Sequence, residues 1–310
     1  MSILVIGASF MDIKGYPHDM YIPTGRNAGS IEYVHGGVAR NVAEDIANIE
    51  LRPYFLSIVD DSPLGGAVLQ KLINHKVNVD YVMTRPDGIG TWMVIFDNSG
   101  DVAGSISKRP DMLPLLDMLN EKGDEMFSKV TSVVLEVDLD KDIAKRTLEL
   151  AAKHGVRTIA LISNMSIAAE RRDLLQRFDC VICNQQEAGI FFLDDYEGKT
   201  AEEMCEIVSS KVVRARIPSM VVTLGGEGSV YADQFGLKGI CPARKVQVKD
   251  TSGAGDAFCA GVAVGLTYGK TLPEAAEIGT FLAASVITSS ENVCPRFLPE
   301  ELGLNVSIED

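Results

Sequence analysis

The chain of 310 residues is 46% hydrophobic and 23% charged, the composition of an ordinary soluble globular protein with enough length to bury a large core. Lys and Arg number 29 against 43 Asp and Glu, and the formal net charge of -14, unrelieved by any basic block, opposes nucleic acid and anionic membrane as partners. The N-terminus MSILVIGASF lacks a positive n-region and the apolar runs fall short of the ~20 residues a membrane span needs, so a cytoplasmic protein is expected.

Taken in chain order, ILVIG (3–7) reads as a buried strand, and Asp12 follows shortly after it. Residues 14–35 alternate polar and apolar around turn signals. HGGVARNVAEDIA (35–47) sets a Gly-Gly turn before a helix expected over 38–49, with Asn41 one turn inside. Strand YFLSIV (54–59) and a helix at 64–75 come next. Residues 89–107 then place a DNSGD turn between two short strand-like runs. The strand candidates SVVLEV (132–137), TIALIS (158–163), CVICN (180–184) and SMVVTL (219–224) alternate with helices expected at 141–154, 200–213, 254–268 and 272–289. Continuous apolar strands alternating with amphipathic helices predict an α/β layer fold, its mostly parallel sheet covered on both faces. The stretches 14–35 and 89–107 stand outside this rhythm, as a small β lid or as ordinary surface hairpins. The acidic tail EELGLNVSIED (300–310) reads as a surface terminus.

Six cysteines in apolar contexts favour reduced thiols, and the Cys180/Cys183 pair in FDCVICN reads as buried strand rather than redox or zinc site. More informative is DTSGAGDAF (250–258), where small residues lie between two aspartates before an apolar helix. The amides of Gly253, Ala254 and Gly255 at that helix N-terminus favour an anion, and Asp256 in the same turn suits a proton acceptor for an attacking hydroxyl, or a solvated cap. Two decoys fall away. GLTYGKT (265–271) has three residues, not four, between its first glycine and GK, so it reads as a helix ending at Gly269 and a new one beginning near Thr271. GASFMD has one glycine and no dinucleotide fingerprint.

GGVARNVA and DTSGAGDAF resemble the paired signatures of the ribokinase-like, or PfkB, family of sugar and nucleoside kinases. NQQEA (184–188) is similar to that family's NxxE, and TLGGEG (223–228) to its ATP-site TxGxxG. The resemblance implies one ribokinase-like α/β domain over 1–310, with a central sheet and a β lid built from about 14–35 and 89–107. It implies Asp256 as catalytic base and the amides of Gly253, Ala254 and Gly255 as anion hole. Asp12, Gly37, Asn41 and Glu136 fall at sugar-binding positions, and Asn184, Thr223, Gly225 and Gly228 border ATP. Glu187 would order Mg²⁺ through water, while Asp250 and Ser252 match a monovalent-cation loop, for K⁺, whose later half near SSENVCP (289–295) stays unassigned.

The expected reaction is transfer of the ATP γ-phosphoryl group to a primary hydroxyl. GASFMDIKGYP, the NAGSIEYVHGGVARNVAEDIA segment and TWMVIFDNSGD are most similar to pseudouridine kinases, which implies pseudouridine as substrate, with ribose, another nucleoside or a keto-sugar acid as alternatives and a non-catalytic nucleoside or nucleotide sensor as the reading from another class. Lys108 and Arg109, in SISKRPDM (105–112), are either a solvated lid edge or a substrate contact. Trp92, Val94 and Phe96 share a strand face that either covers substrate or pairs two lids in a homodimer.

Overall fold

The computed structural model describes residues 1–162, 164 and 169–306. Its strands are β1 (Ile3–Ile6), β2 (Phe10–Pro17), β3 (Gly29–Gly36), β4 (Tyr54–Val59), β5 (Asn78–Thr84), β6 (Gly90–Phe96) and β7 (Val102–Lys108). They continue with β8 (Ser132–Glu136), β9 (Arg157–Leu161), β10 (Cys180–Asn184), β11 (Ser219–Thr223), β12 (Ser229–Asp233) and β13 (Lys238–Cys241). The helices are α1 (Val38–Asn48), α2 (Pro63–Asn74), α3 (Pro114–Ser128), α4 (Lys141–His154), α5 (Arg172–Leu175), α6 (Gln185–Phe192), α7 (Ala201–Ala215), α8 (Ala254–Thr267) and α9 (Leu272–Ile287). Ser163, the last residue of the strand expected at 158–163, and the end of the acidic tail, 307–310, lie outside the described residues.

The main sheet has nine strands in the order β13-β12-β11-β10-β9-β8-β1-β4-β5. It is parallel from β5 to β11 and antiparallel only where β12 and β13 extend one edge. All residues of β1 and β8 are buried because helices cover both faces, and this is why these strands read as unbroken apolar runs. One face packs against α3, α4 and α7 through Leu119, Phe127, Ile143 and Met204. The other packs against α1, α2, α8 and α9 through Val42, Leu72, Val262 and Leu282.

Helices α8 and α9 cross on glycine. A Cβ built on Gly261 would lie 2.6 Å from the Cα of Gly279, and one on Gly265 would lie 2.8 Å from the Cα of Ala275. The stretch between them behaves as read: Gly269 follows α8 with φ +80°, and Thr271 caps α9 in a reciprocal box with Glu274.

A separate four-stranded sheet, ordered β3-β2-β6-β7, holds the two stretches that broke the rhythm. Its two outer pairs are antiparallel and its central β2–β6 pair is parallel. It is larger than the sequence suggests, beginning at Phe10 rather than residue 14 and ending at Lys108. Asp12 therefore lies on one of its strands. Val34, Asp12, Trp92 and Ser107 form one row across the sheet, and the next row, Tyr33, Ile13, Met93 and Ile106, points to the opposite face. Lys108 at the end of β7 pairs with exposed Asp87 at 2.8 Å, whereas Arg109 donates at 2.6 Å to the buried carboxylate of Asp138, tying this sheet to the main one. No described helix is long and apolar enough to cross a membrane.

The α8–α9 crossing leaves no space for a side chain. Gly261→Ala is expected to destabilise the fold by about 1–3 kcal/mol, read as a lower urea midpoint with an unchanged m-value.

Candidate active site

The ends of the parallel strands bring the chemistry together, as open α/β sheets do at the carboxyl ends of their strands. Beyond β1 the backbone N–H of Ala8 donates at 2.9 Å to Glu136 Oε2 at the tip of β8. Glu136 is only 2% exposed, so its carboxylate braces the strand ends from beneath. Gly7 is required above it, since a Cβ there would come within 2.6 Å of the same oxygen.

Two helix N-termini converge over this edge. Gly37, with φ +93°, caps α1, and a Cβ on it would meet the carbonyl oxygen of Ala8 at 2.7 Å. Its neighbour Gly36 leaves room for Asp12, whose carboxylate oxygens would stand 2.4 and 2.5 Å from a Cβ at that position. Gly253, with φ +78°, caps α8 and lies under the carbonyl of Asn292, 2.0 Å from where a Cβ would be. Asn41 on α1 donates from Nδ2 to Asp256 Oδ2 on α8 at 2.6 Å. Asn292 donates to the His35 carbonyl at 2.7 Å and to Asn41 Oδ1 at 3.3 Å.

The mouth of α8 offers amides to a ligand. The N–H of Ala254 is turned to the carbonyl of Thr251 at 3.2 Å, which takes it out of the expected anion hole. Among the described residues no protein acceptor meets the amides of Gly253, Gly255 or Asp256. A Cβ on Gly255 would meet nothing within 4 Å. Asp250 accepts from the Ser252 amide at 2.8 Å in a tight turn just before this mouth.

The acids here are crowded and partly dehydrated. Burial pushes Asp256 up to about 7, with Asp12 and Glu187 adding to the rise and the Asn41 hydrogen bond and Arg40 opposing it. Burial also lifts Asp12 to about 6 against the pull of Lys14 and Arg40. Glu187 is raised by burial and by Asp138. Such a cluster gains from any cation that enters it.

Asn184 and Glu187 form a reciprocal capping box at the start of α6: each side chain takes the other's backbone N–H at 2.8 Å. Beside them opens a cavity of about 1390 Å³ lined by Asn184, Gln186, Tyr196, Thr223, Gly225 and Gly255. Gly228 adjoins it with φ +100°, required because a Cβ would fall 2.1 Å from the carbonyl of Cys241. Its size and its contact with the α8 mouth fit a nucleoside triphosphate whose phosphates reach Gly255. Among the described residues no group of three or more His, Cys, Asp or Glu is arranged to hold a metal ion by itself. The six cysteines are buried free thiols, and burial lifts Cys180 to about 11.

The expected residues thus divide. Asp12, Gly37, Asn41, Gly253, Gly255 and Asp256 meet at the two helix mouths, with Glu136 beneath them. Asn184, Thr223 and Gly225 line the adjoining cavity, with Glu187 bonded to Asn184 and Gly228 to Gly225 just outside its lining. Sequence reasoning missed Asn292, in the unassigned 289–295 loop, and the buried partner of Arg109.

This fold and site define a phosphotransferase, and the match to the pfkB family of carbohydrate kinases over residues 1–295 establishes that the chain belongs to that family. Among its relatives, the guanosine-inosine kinase of Exiguobacterium acetylicum is 34% identical over 292 residues, covering 94% of this chain and 95% of that protein. The pseudouridine kinase of Escherichia coli K12 is 24% identical over 84% of this chain and 82% of the relative. The fold matches Arabidopsis thaliana ribokinase, solved with ribose and ATP, at a TM-score of 0.83 and 21% identity, covering 98% of this chain and 99% of that one.

Asn41→Ala removes the donor that holds down the Asp256 carboxyl. Its titration, followed by carboxyl ¹³C NMR, is expected to move upward from about 7; an unmoved or lowered value contradicts the hydrogen bond's electrostatic role.

Proposed function

We propose that this kinase transfers the γ-phosphoryl group of ATP to the 5′-hydroxyl of a nucleoside, with guanosine and inosine ahead of pseudouridine. The observation that carries the reading is Asp256, hydrogen-bonded to Asn41 at a helix mouth where the amides of Gly253, Gly255 and Asp256 meet no protein acceptor among the described residues. The preference for a purine nucleoside rests on the 34% relative, against 24% for the pseudouridine kinase. It departs from the sequence expectation of pseudouridine, which keeps second place on the GGVARN stretch.

Asp12, Gly37 and Asn41 bind the sugar hydroxyls, and Trp92, beside Asp12 in register and on its face, offers a flat surface to the base. Asp256 takes the proton of the 5′-hydroxyl as the bond to phosphorus forms, so it need not ionise the alcohol beforehand. The amides of Gly253 and Gly255, joined by that of Asp256 in place of Ala254, stabilise the negative charge on the moving group. Asn184, Thr223, Gly225 and Gly228 border the nucleotide, and Glu187 would hold Mg²⁺ through water, an ion that would neutralise phosphate charge. Asp250 and Ser252 form half of a K⁺ loop. The whole chain is one domain in which the small sheet acts as a lid, excluding water that would otherwise compete as nucleophile.

The outer face of that sheet supports a homodimer. Tyr33, Met93 and Ile106 stand in one row at 60%, 44% and 67% exposure. Trp92 and Val94 belong to the inner face, so pairing uses the row opposite to the one expected. Wild-type protein is expected to sediment as a dimer and the Met93→Glu/Ile106→Glu variant as a monomer; a monomeric wild type removes the interface.

ADP release tested with guanosine, inosine, pseudouridine, uridine, adenosine and ribose is expected to be stimulated most by guanosine or inosine. Binding without ADP formation would support the sensor instead. Asp256→Asn is expected to lower turnover by about 10²-fold or more with little change in nucleoside affinity, and turnover near wild type removes the base assignment.

A further inference from the structure

Arg40, on the buried side of α1, is fully enclosed, and each of its three guanidinium nitrogens donates a hydrogen bond. Nε donates to the Gly36 carbonyl at 3.2 Å, Nη1 to Glu44 Oε2, and Nη2 to both the His35 carbonyl and Asn41 Oδ1. Glu44 is in turn held by Lys71 at 3.3 Å and His75 at 3.4 Å from α2 and the residue after it. A carboxamide has two ends of nearly equal size, and shape alone does not decide which faces a neighbour. With Arg40 and Asn292 both donating to Oδ1, the Nδ2 end is the one left for Asp256. The reversed amide would set an oxygen against the carboxylate.

We infer that Arg40 is a positioning residue for phosphoryl transfer: through Asn41 it fixes the orientation of Asp256, and it places a buried positive charge behind the two site acids. This rests on the reading of Asp256 as the base. The groups around Asp256 make the charge matter. Asp12 from the small sheet and Glu187 from α6 raise it by their charge, while Asp45 from α1 and Cys259 from α8 are themselves pushed up by burial and by Asp256. Arg40 is the cation set against them, and it opposes the rise at Asp12 as well.

The test is the pH dependence of kcat in the full-length enzyme, with ATP and its best nucleoside, for wild type, Arg40→Met and Arg40→Lys. The wild-type acid limb follows ionisation of Asp256. Losing the cation raises that carboxyl's pKa, so Arg40→Met is expected to move the limb upward by about one pH unit. Turnover at pH 6.5 falls by about tenfold from the limb shift alone; that part is recovered at high pH, where kcat levels off below wild type because the planar fork that orients Asn41 is gone. Arg40→Lys restores the charge without the planar fork, so its limb returns toward wild type while kcat stays low. An unmoved limb, or an equal loss at every pH, in a variant with native circular dichroism overturns the inference.

Glu44→Gln provides a second reading with the opposite sign, which serves where Arg40→Met does not fold. Removing the carboxylate that offsets Arg40 is expected to shift the limb to lower pH, and an unmoved or raised limb overturns the inference. Asp256→Asn separates the two levels: turnover near wild type there sinks the base assignment itself, whereas an inactive Asp256→Asn beside an unmoved Arg40→Met limb sinks the role of Arg40 alone.

Discussion

The hydrogen bond from Asn41 to Asp256 joins residues 215 positions apart, and much of the molecule is arranged so that it can form. It requires α1 and α8 to lie side by side with their N-termini level. Each helix reaches that level only because a glycine precedes it in a conformation closed to other residues, Gly37 in one case and Gly253 in the other. The glycine crossing of α8 and α9 then holds the second helix at depth. Two helix N-termini aimed at one point create a local positive potential in a protein whose net charge is -14. On the proposed reading, that contrast is how an acidic kinase would accept phosphates: positive potential would come from main-chain amides and from one buried guanidinium rather than from surface lysines.

The same point gathers acids from distant parts of the chain. Asp12, Glu187 and Asp256 come from three different elements, and burial raises all three together. Their mutual repulsion favours occupation by cations and makes proton affinity at Asp256 sensitive to every charge nearby. An acid near neutrality is well matched to accept a proton late in bond formation.

Much of the fold was legible because parallel strands buried on both faces are written as continuous apolar runs, and β1, β8 and β10 are such strands. The site was legible where glycine marks a conformation no other residue tolerates. Elsewhere local signals misled or fell silent. In β2, Gly15 and Pro17 read as turn residues, so the start of the small sheet was placed four residues late. Helix α3 buries Leu115, Leu119 and Phe127 at helical spacing, but Gly123 interrupts the pattern, and there the glycine exists to admit Leu150. Asn184 and Glu187 carry a spacing that suits a capping box and a metal-site motif equally, and coordinates reveal the box. Arg40 went unread because a basic residue in an amphipathic helix ordinarily faces solvent; its burial is a property of the assembled protein.

Asn292 has a consequence of its own. Its backbone carbonyl presses on Gly253, while its side chain grips the His35 carbonyl and Asn41. One residue in an irregular loop thereby clasps three stretches of chain at the point where both helices begin. Positions 35–41, 253 and 292 are therefore mechanically coupled. A change in the path of that loop would reshape both helix mouths together.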